Sequence, residues 1–264
     1  MMLKTENSPP RVAVHKFSSC DGCQLAFLNL GENLLALAEA VEIVHFAEAG
    51  IVAVDAEVDI AFVEGSIYTP EDQSRIERIR QLSGMVITIG ACATSGGIQA
   101  LRNINDSGKE EAWIGAIYAS PQYIESLSRS TPIKECIKVD FEIWGCPISA
   151  AQLVAVVHDL LRGVAPGVID EPLCQTCKRQ QIVCTLITQQ QACLGPVTRA
   201  GCGAICPAMG RECYGCSGTI TTANSSSLSH YFSGLGLLPE QIARRMNMIH
   251  SEEEKKVGKG GGDE

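Results

Sequence analysis

Thirteen cysteines in 264 residues, eight of them crowded between Cys174 and Cys216, constrain what this chain can fold into more than any other feature. The other five are Cys20, Cys23, Cys92, Cys136 and Cys146. The Met1–Arg11 stretch is polar with two prolines, which predicts neither a secretory apolar segment nor a twin-arginine leader. A cytoplasmic location is therefore expected. In a reducing compartment an odd number of thiols in such density reads as metal ligands or catalytic groups, not as a disulfide framework. A hydrophobic fraction of 45% with 19% charged residues is enough to bury a core and excludes a disordered chain. The formal charge of −9 argues against nucleic acid as a partner. No apolar run approaches the ~20 residues of a membrane span.

The length is near the limit of a single core, so one large domain and a smaller one are expected. Up to about residue 161, strand-like and helix-like segments alternate. Strands are expected at Arg11–His15, Val41–Phe46, Val58–Val63 and Met85–Ile89, with a fifth around Ile137–Val139. Between the first two, Leu25, Phe27, Leu28, Leu30, Leu34, Leu35 and Leu37 predict one mostly buried helix from about Asp21 to Val41. Thr69 followed by Pro70 marks a helix start, and Ala150–Leu161 reads as a last helix. This alternation implies a doubly wound parallel sheet with helices on both faces. After Gly163 the texture changes, through a linker-like Gly163–Gly167 and Asp170–Pro172, into a region with little periodicity that folds around its metals. Ser251–Glu264 reads as a frayed charged tail, with Glu252–Lys256 a solvated run.

In an open parallel sheet, sites form where loops leave the carboxyl ends of the strands. Cys20 and Cys23 follow the first strand, Glu64 the third, Cys92 the fourth, and Cys146 the last strand-like segment. Four cysteines far apart in sequence are thereby expected to meet at one sheet edge. Small or rigid neighbours, in Gly90-Ala-Cys92 and Gly145-Cys146-Pro147, permit close backbone approach to a bulky group. A redox-active C-x2-C turn is a lesser rival, because it needs neither Cys92 nor Cys146. The second region reads Cys174-x2-Cys177-x6-Cys184-x8-Cys193 and Cys202-x3-Cys206-x6-Cys213-x2-Cys216, two sets of four. Four thiolates suit an iron–sulfur cubane, and C-x2-C pairs also build zinc sites. The acidic chain and the further set on the sheet favour iron. Cys136 remains outside, as a small buried apolar residue.

These motifs together resemble the small, electron-transferring subunit of nickel–iron hydrogenases over about residues 11–220. The resemblance rests on Cys20-Asp-Gly-Cys23, Glu64-Gly65-Ser66, Gly90-Ala-Cys-Ala93, Gly145-Cys-Pro147 and Cys193-Leu-Gly-Pro196 with Thr198. It implies a flavodoxin-like domain at 11–165 holding a proximal 4Fe–4S cluster on Cys20, Cys23, Cys92 and Cys146. It implies a small irregular cluster-binding domain at 170–235, then a C-terminal segment at 236–264. A medial cluster would sit on Cys202, Cys206, Cys213 and Cys216, and a distal one on Cys174, Cys177, Cys184 and Cys193. Many members carry histidine in place of Cys174 and proline near Cys206, so all-cysteine 4Fe–4S sites are the departure here.

The Asp21–Leu25 run is most similar to the cytosolic NAD(P)-linked bidirectional group, also called sulfhydrogenases. The resemblance then implies a heterotetramer, with the nickel–iron centre in a large subunit and FAD with the nucleotide site in others. The implied reaction is reversible hydrogen oxidation coupled to NADP or NAD reduction. This chain has no convincing G-x-G-x-x-G after a strand, so it would not bind the nucleotide itself. Glu64 is either structural, the more common role of a lone carboxylate at a strand end, or a proton relay or interface residue. The quinone-reducing subunit of respiratory complex I shares the first domain, but shows adjacent cysteines and lacks the second region. A subunit passing electrons to a heterodisulfide reductase or a deazaflavin remains the alternative.

Overall fold

A computed structural model describes residues 8–104 and 112–251, the side chains at 112 and 113 excepted. The polar start at 1–7 and the charged tail at 252–264 lie outside the described residues. Five parallel strands form the sheet: β1 (Arg11–Lys16), β2 (Glu42–Phe46), β3 (Val58–Glu64), β4 (Ser83–Ile89) and β5 (Phe141–Ile143), in the order β2-β1-β3-β4-β5. That order reverses direction between β1 and β3, the switch point of a flavodoxin-like sheet.

The strands are near-continuous apolar runs because both faces are covered. Val12, Val14, Ile60, Phe62, Ile87 and Ile89 point to one face, against Phe27 of α1 (Gly22–Leu28) and Leu153 of α6 (Ala150–Leu161). Ala13, Ala61, Val63 and Val86 point to the other, against Ile76 and Ile79 of α3 (Pro70–Leu82). The expected start of α3 is present as a full capping box: Thr69 Oγ1 accepts from the Asp72 N–H at 3.1 Å, and Asp72 accepts from the Thr69 N–H at 3.2 Å.

Two elements differ from the sequence expectation. The single buried helix over Asp21–Val41 is instead two, α1 and α2 (Glu32–Ala40), broken where Gly31 takes φ +59°. The α2 helix has no fully buried residue, and Leu35 is 67% exposed. Leucine density signalled burial, but α1 buries Phe27 fully in the core while α2 rests only the partly buried Leu34 and Leu37 against it. The fifth strand is Phe141–Ile143, not Ile137–Val139. Its pairing begins at Asp140, whose N–H donates to the Val86 carbonyl at 2.9 Å and whose carboxylate accepts from the Val86 N–H at 2.8 Å. Arg80 pairs with the same carboxylate at 2.5 Å. Ile137 and Val139 pack sideways on the α3 face of the sheet.

Short elements follow β4 and α6: α4 (Gly90–Ser95), α5 (Ala112–Ile117), α7 (Leu173–Arg179), α8 (Thr185–Thr188), α9 (Ile205–Ala208), α10 (Ser225–Gly234) and α11 (Pro239–Met246). The sequence predicts a cysteine-rich region that folds around its metals. It also has an apolar core of its own, where Leu173, Leu194 and Val197 meet Phe232 of α10 and Ile242 of α11. Among the described residues no helix is long and apolar enough to cross a membrane.

Candidate metal centres

Strand register builds the first site. Lys16, Glu64, Ile89 and Ile143 lie in one row across β1, β3, β4 and β5. Cys20, Cys92 and Cys146 follow that row by three or four residues, and Cys23 opens α1. The four thiols come within electrostatic reach of one another: Cys23 feels Cys92 and Cys146, and Cys92 and Cys146 each feel Cys20. Backbone closeness makes this possible. Gly90 has φ +83°, and a Cβ there would stand 2.3 Å from Cys23 Sγ. No side chain fits that position, on grounds of both space and conformation. The Ala91 N–H donates to the Gly145 carbonyl at 2.7 Å, which ties the Cys92 and Cys146 loops together.

Glu64 is the carboxylate in this cradle. It is 2% exposed and accepts a hydrogen bond from the Cys23 N–H at 3.0 Å. Burial raises its pKa, and the Cys23 and Gln24 contacts pull the other way. Gln24 is fully buried beside it, yet neither end of its amide reaches hydrogen-bonding geometry, and Glu64 Oε2 is likewise unpartnered. Buried polar atoms without partners are rare in folded proteins, and those of Gln24 and Glu64 lie at the cysteine cradle.

In the second region Cys174 and Cys177 each feel Cys184 and Cys193, and a Cβ on Gly195 would stand 3.4 Å from the sulfurs of both Cys174 and Cys193. Cys216 feels Cys202 and Cys206. Cys213 touches both groups. Its N–H donates to Cys193 Sγ at 3.2 Å, and its own sulfur accepts from the Gly215 N–H at 3.4 Å. Backbone N–H groups aimed at sulfur are the outer-shell donors that stabilise thiolate ligands and tune clusters.

Burial is the first cause of the thiol shifts, and neighbouring cysteines add to it. Cys92 and Cys213 are pushed up to about 12, Cys146 and Cys174 to about 11, and Cys23 is raised as well. A redox-active C-x2-C turn has no use for Cys92 and Cys146, which stand within electrostatic reach of Cys20 and Cys23. Thiols this reluctant to ionise become thiolates when a metal supplies positive charge. All thirteen cysteines are free of disulfides. Among the described residues no three His, Cys, Asp or Glu side chains converge on a point that a single ion fills. The donor set, the glycine cradles and the N–H···S contacts fit iron–sulfur groups, whose ligands each take a different iron.

Cys136 is half-buried against the α3 face and meets Thr131 and the charges of Glu135 and Glu77. His15 is buried and stacked on His45 at 4.7 Å, and His158 is exposed. Thr94 turns its hydroxyl back to the Gly90 carbonyl at 3.1 Å. Trp144 lies under Arg199, 4.5 Å from the guanidinium. Sequence reasoning missed Gln24, Arg245 and His250. Arg245 of α11 donates to the carbonyls of Ala192 at 3.0 Å and Cys213 at 3.1 Å, and so braces both cysteine sets.

Comparisons with known proteins give the family and fold. Residues 20–160 match the family described as NADH ubiquinone oxidoreductase, 20 Kd subunit. Sulfhydrogenase 2 subunit delta of Pyrococcus furiosus is 33% identical over 236 residues, covering 89% of this chain and 97% of that protein. A subunit of the vhu F420-non-reducing hydrogenase of Methanocaldococcus jannaschii is 32% identical over 240 residues, covering 79% of this chain and 81% of that protein. A crystal structure of an NAD+-reducing NiFe hydrogenase in the H2-reduced state has a chain that superposes with a TM-score of 0.54 at 26% identity, covering 61% of this chain and 95% of that one.

Proposed function

The chain belongs to the NADH ubiquinone oxidoreductase 20 Kd subunit family, as a small subunit of the nickel–iron hydrogenase type whose active site lies in a partner subunit, and from that premise we propose that it is the electron wire of a hydrogen-oxidising complex. Three 4Fe–4S clusters would be held: proximal on Cys20, Cys23, Cys92 and Cys146, medial on Cys202, Cys206, Cys213 and Cys216, and distal on Cys174, Cys177, Cys184 and Cys193. The first belongs to a flavodoxin-like domain at 11–165, the other two to a domain at 170–235, followed by the segment from 236. Bound clusters supply one-electron carriers at potentials set by ligation, hydrogen bonding and burial. The residues of this chain hold sulfur positions, aim N–H groups at them and exclude water.

The partner's nickel–iron centre would supply two electrons and two protons for each hydrogen molecule. A flavin subunit would pass both electrons, with one proton, to NADP+ or NAD+. The complex would be a cytoplasmic heterotetramer. The observation that carries the proposal is the approach of Cys20, Cys23, Cys92 and Cys146 at the carboxyl edge of the sheet, with Cys146 within electrostatic reach of Cys216 in the second region. A second reading, electron delivery to a heterodisulfide reductase or a deazaflavin, draws on the likeness to the F420-non-reducing hydrogenase of the methanogen.

Anaerobic co-purification of this chain from its host tests the proposal. The eluate is assayed for nickel, iron and flavin and for hydrogen-dependent reduction of NADP+ and NAD+. Nickel, flavin and nucleotide reduction together are expected. Nickel without nucleotide reduction moves the acceptor to the second reading, and iron without nickel overturns the hydrogenase role.

A further inference from the structure

The turn after α11 carries a residue that three cysteine-bearing segments hold. His250 is buried, 5% exposed. Its Nε2 lies 3.1 Å from the Cys216 carbonyl, and its Nδ1 lies 2.5 Å from Ser95 Oγ. Ser95 closes α4, three residues beyond Cys92. The imidazole also packs on Trp144, two residues before Cys146, with ring centroids 5.4 Å apart. A carbonyl only accepts, so Nε2 carries the proton, and in the neutral ring Nδ1 takes the single Ser95 hydroxyl proton at 2.5 Å, in preference to the Ala91 carbonyl 3.0 Å from the same oxygen.

One side chain thus ties the Cys92 helix and the Cys146 loop, both in the first site, to Cys216 in the second. The same place is where the two groups approach. The thiols of Cys146 and Cys216 feel each other, and the Cys146 N–H lies against the Cys216 sulfur. We infer that His250 is a positioning residue that fixes the first cysteine group against the second, and so sets the gap an electron crosses between them. The inference rests on the wire reading above. It assigns a role to a C-terminal segment that carries no cluster ligand of its own. Electron transfer weakens steeply with distance, and small misplacements of reacting groups carry large kinetic penalties.

Three variants of the full chain in its complex test this. His250→Ala removes both hydrogen bonds. Ser95→Ala removes one and leaves the ring. His250→Gln keeps a donor for the Cys216 carbonyl and an acceptor for Ser95. Each is purified anaerobically, counted for iron, reduced, and examined by EPR for the spin–spin interaction between the first and second clusters. The expected result is loss of that interaction in His250→Ala, weakening in Ser95→Ala and retention in His250→Gln, all at wild-type iron content. An unaltered interaction in His250→Ala overturns the inference. If His250→Ala does not retain iron, Ser95→Ala at full iron content decides, and an unaltered interaction there overturns it. A wild-type complex without cluster signals overturns the wire reading itself, and this inference with it.

Discussion

Cys206 sits in the first turn of α9, within electrostatic reach of Cys202 and Cys193. If it is the fourth ligand of the medial site, Cys206→Ala leaves three thiolates, and the oxidised protein gains the EPR signal of a three-iron cluster. A spectrum identical to wild type removes Cys206 from the ligand set. The raised thiol pKa values give a second prediction at this scale. Cys92 and Cys213, at about 12, stay protonated in the folded chain where an ordinary thiol at 9.0 has ionised. A group whose pKa folding raises adds stability below its unfolded value and loses it as pH climbs through the folded one. The cluster-free chain therefore loses more stability between pH 9 and 12 than the loaded chain, whose thiols are already deprotonated. Urea melts at pH 8 and pH 10 measure this, and equal losses in the two forms contradict it. The cysteines were legible in sequence because their spacing and glycine neighbours are local. Gln24, Arg245 and His250 were not. Arg245 and His250 are polar residues in an ordinary helical or terminal stretch that only tertiary packing brings to a cysteine, and Gln24, next to Cys23 in sequence, is brought by packing only to Glu64.

At the scale of elements, local chemistry was read well where one signal decides and poorly where packing does. The Thr69–Pro70 start of α3 was visible because capping depends on neighbours within four residues. Thr69→Ala removes the hydroxyl that accepts from Asp72 and is expected to destabilise by about 1 kcal/mol. Thermal melts check this, and an unshifted midpoint contradicts it. The strands β1 to β4 were visible as buried apolar runs. The break at Gly31 was hidden by continuous leucine density. The position of β5 was hidden because Asp140, a poor strand former, starts the pairing through its own side chain and Arg80. Ile137–Val139 has better strand composition, but it packs on the sheet face instead of extending the edge.

At the scale of the molecule, the β2-β1-β3-β4-β5 order explains why residues as distant as Cys20 and Cys146 share a site, and this much followed from strand alternation. The second region was less legible. Its apolar core draws on α10 and α11, which lie beyond the cysteine block, so the block alone looked as if metals had to do all the folding. The same C-terminal segment supplies Arg245 and His250. Iron and acid-labile sulfide, counted by Mössbauer spectroscopy and chemical analysis on this chain purified anaerobically, test the wire most directly. Three 4Fe–4S clusters predict about twelve irons and about twelve sulfides per chain, all in cubane form. Zinc in the cysteine sites, or iron for fewer than three clusters, would contradict it.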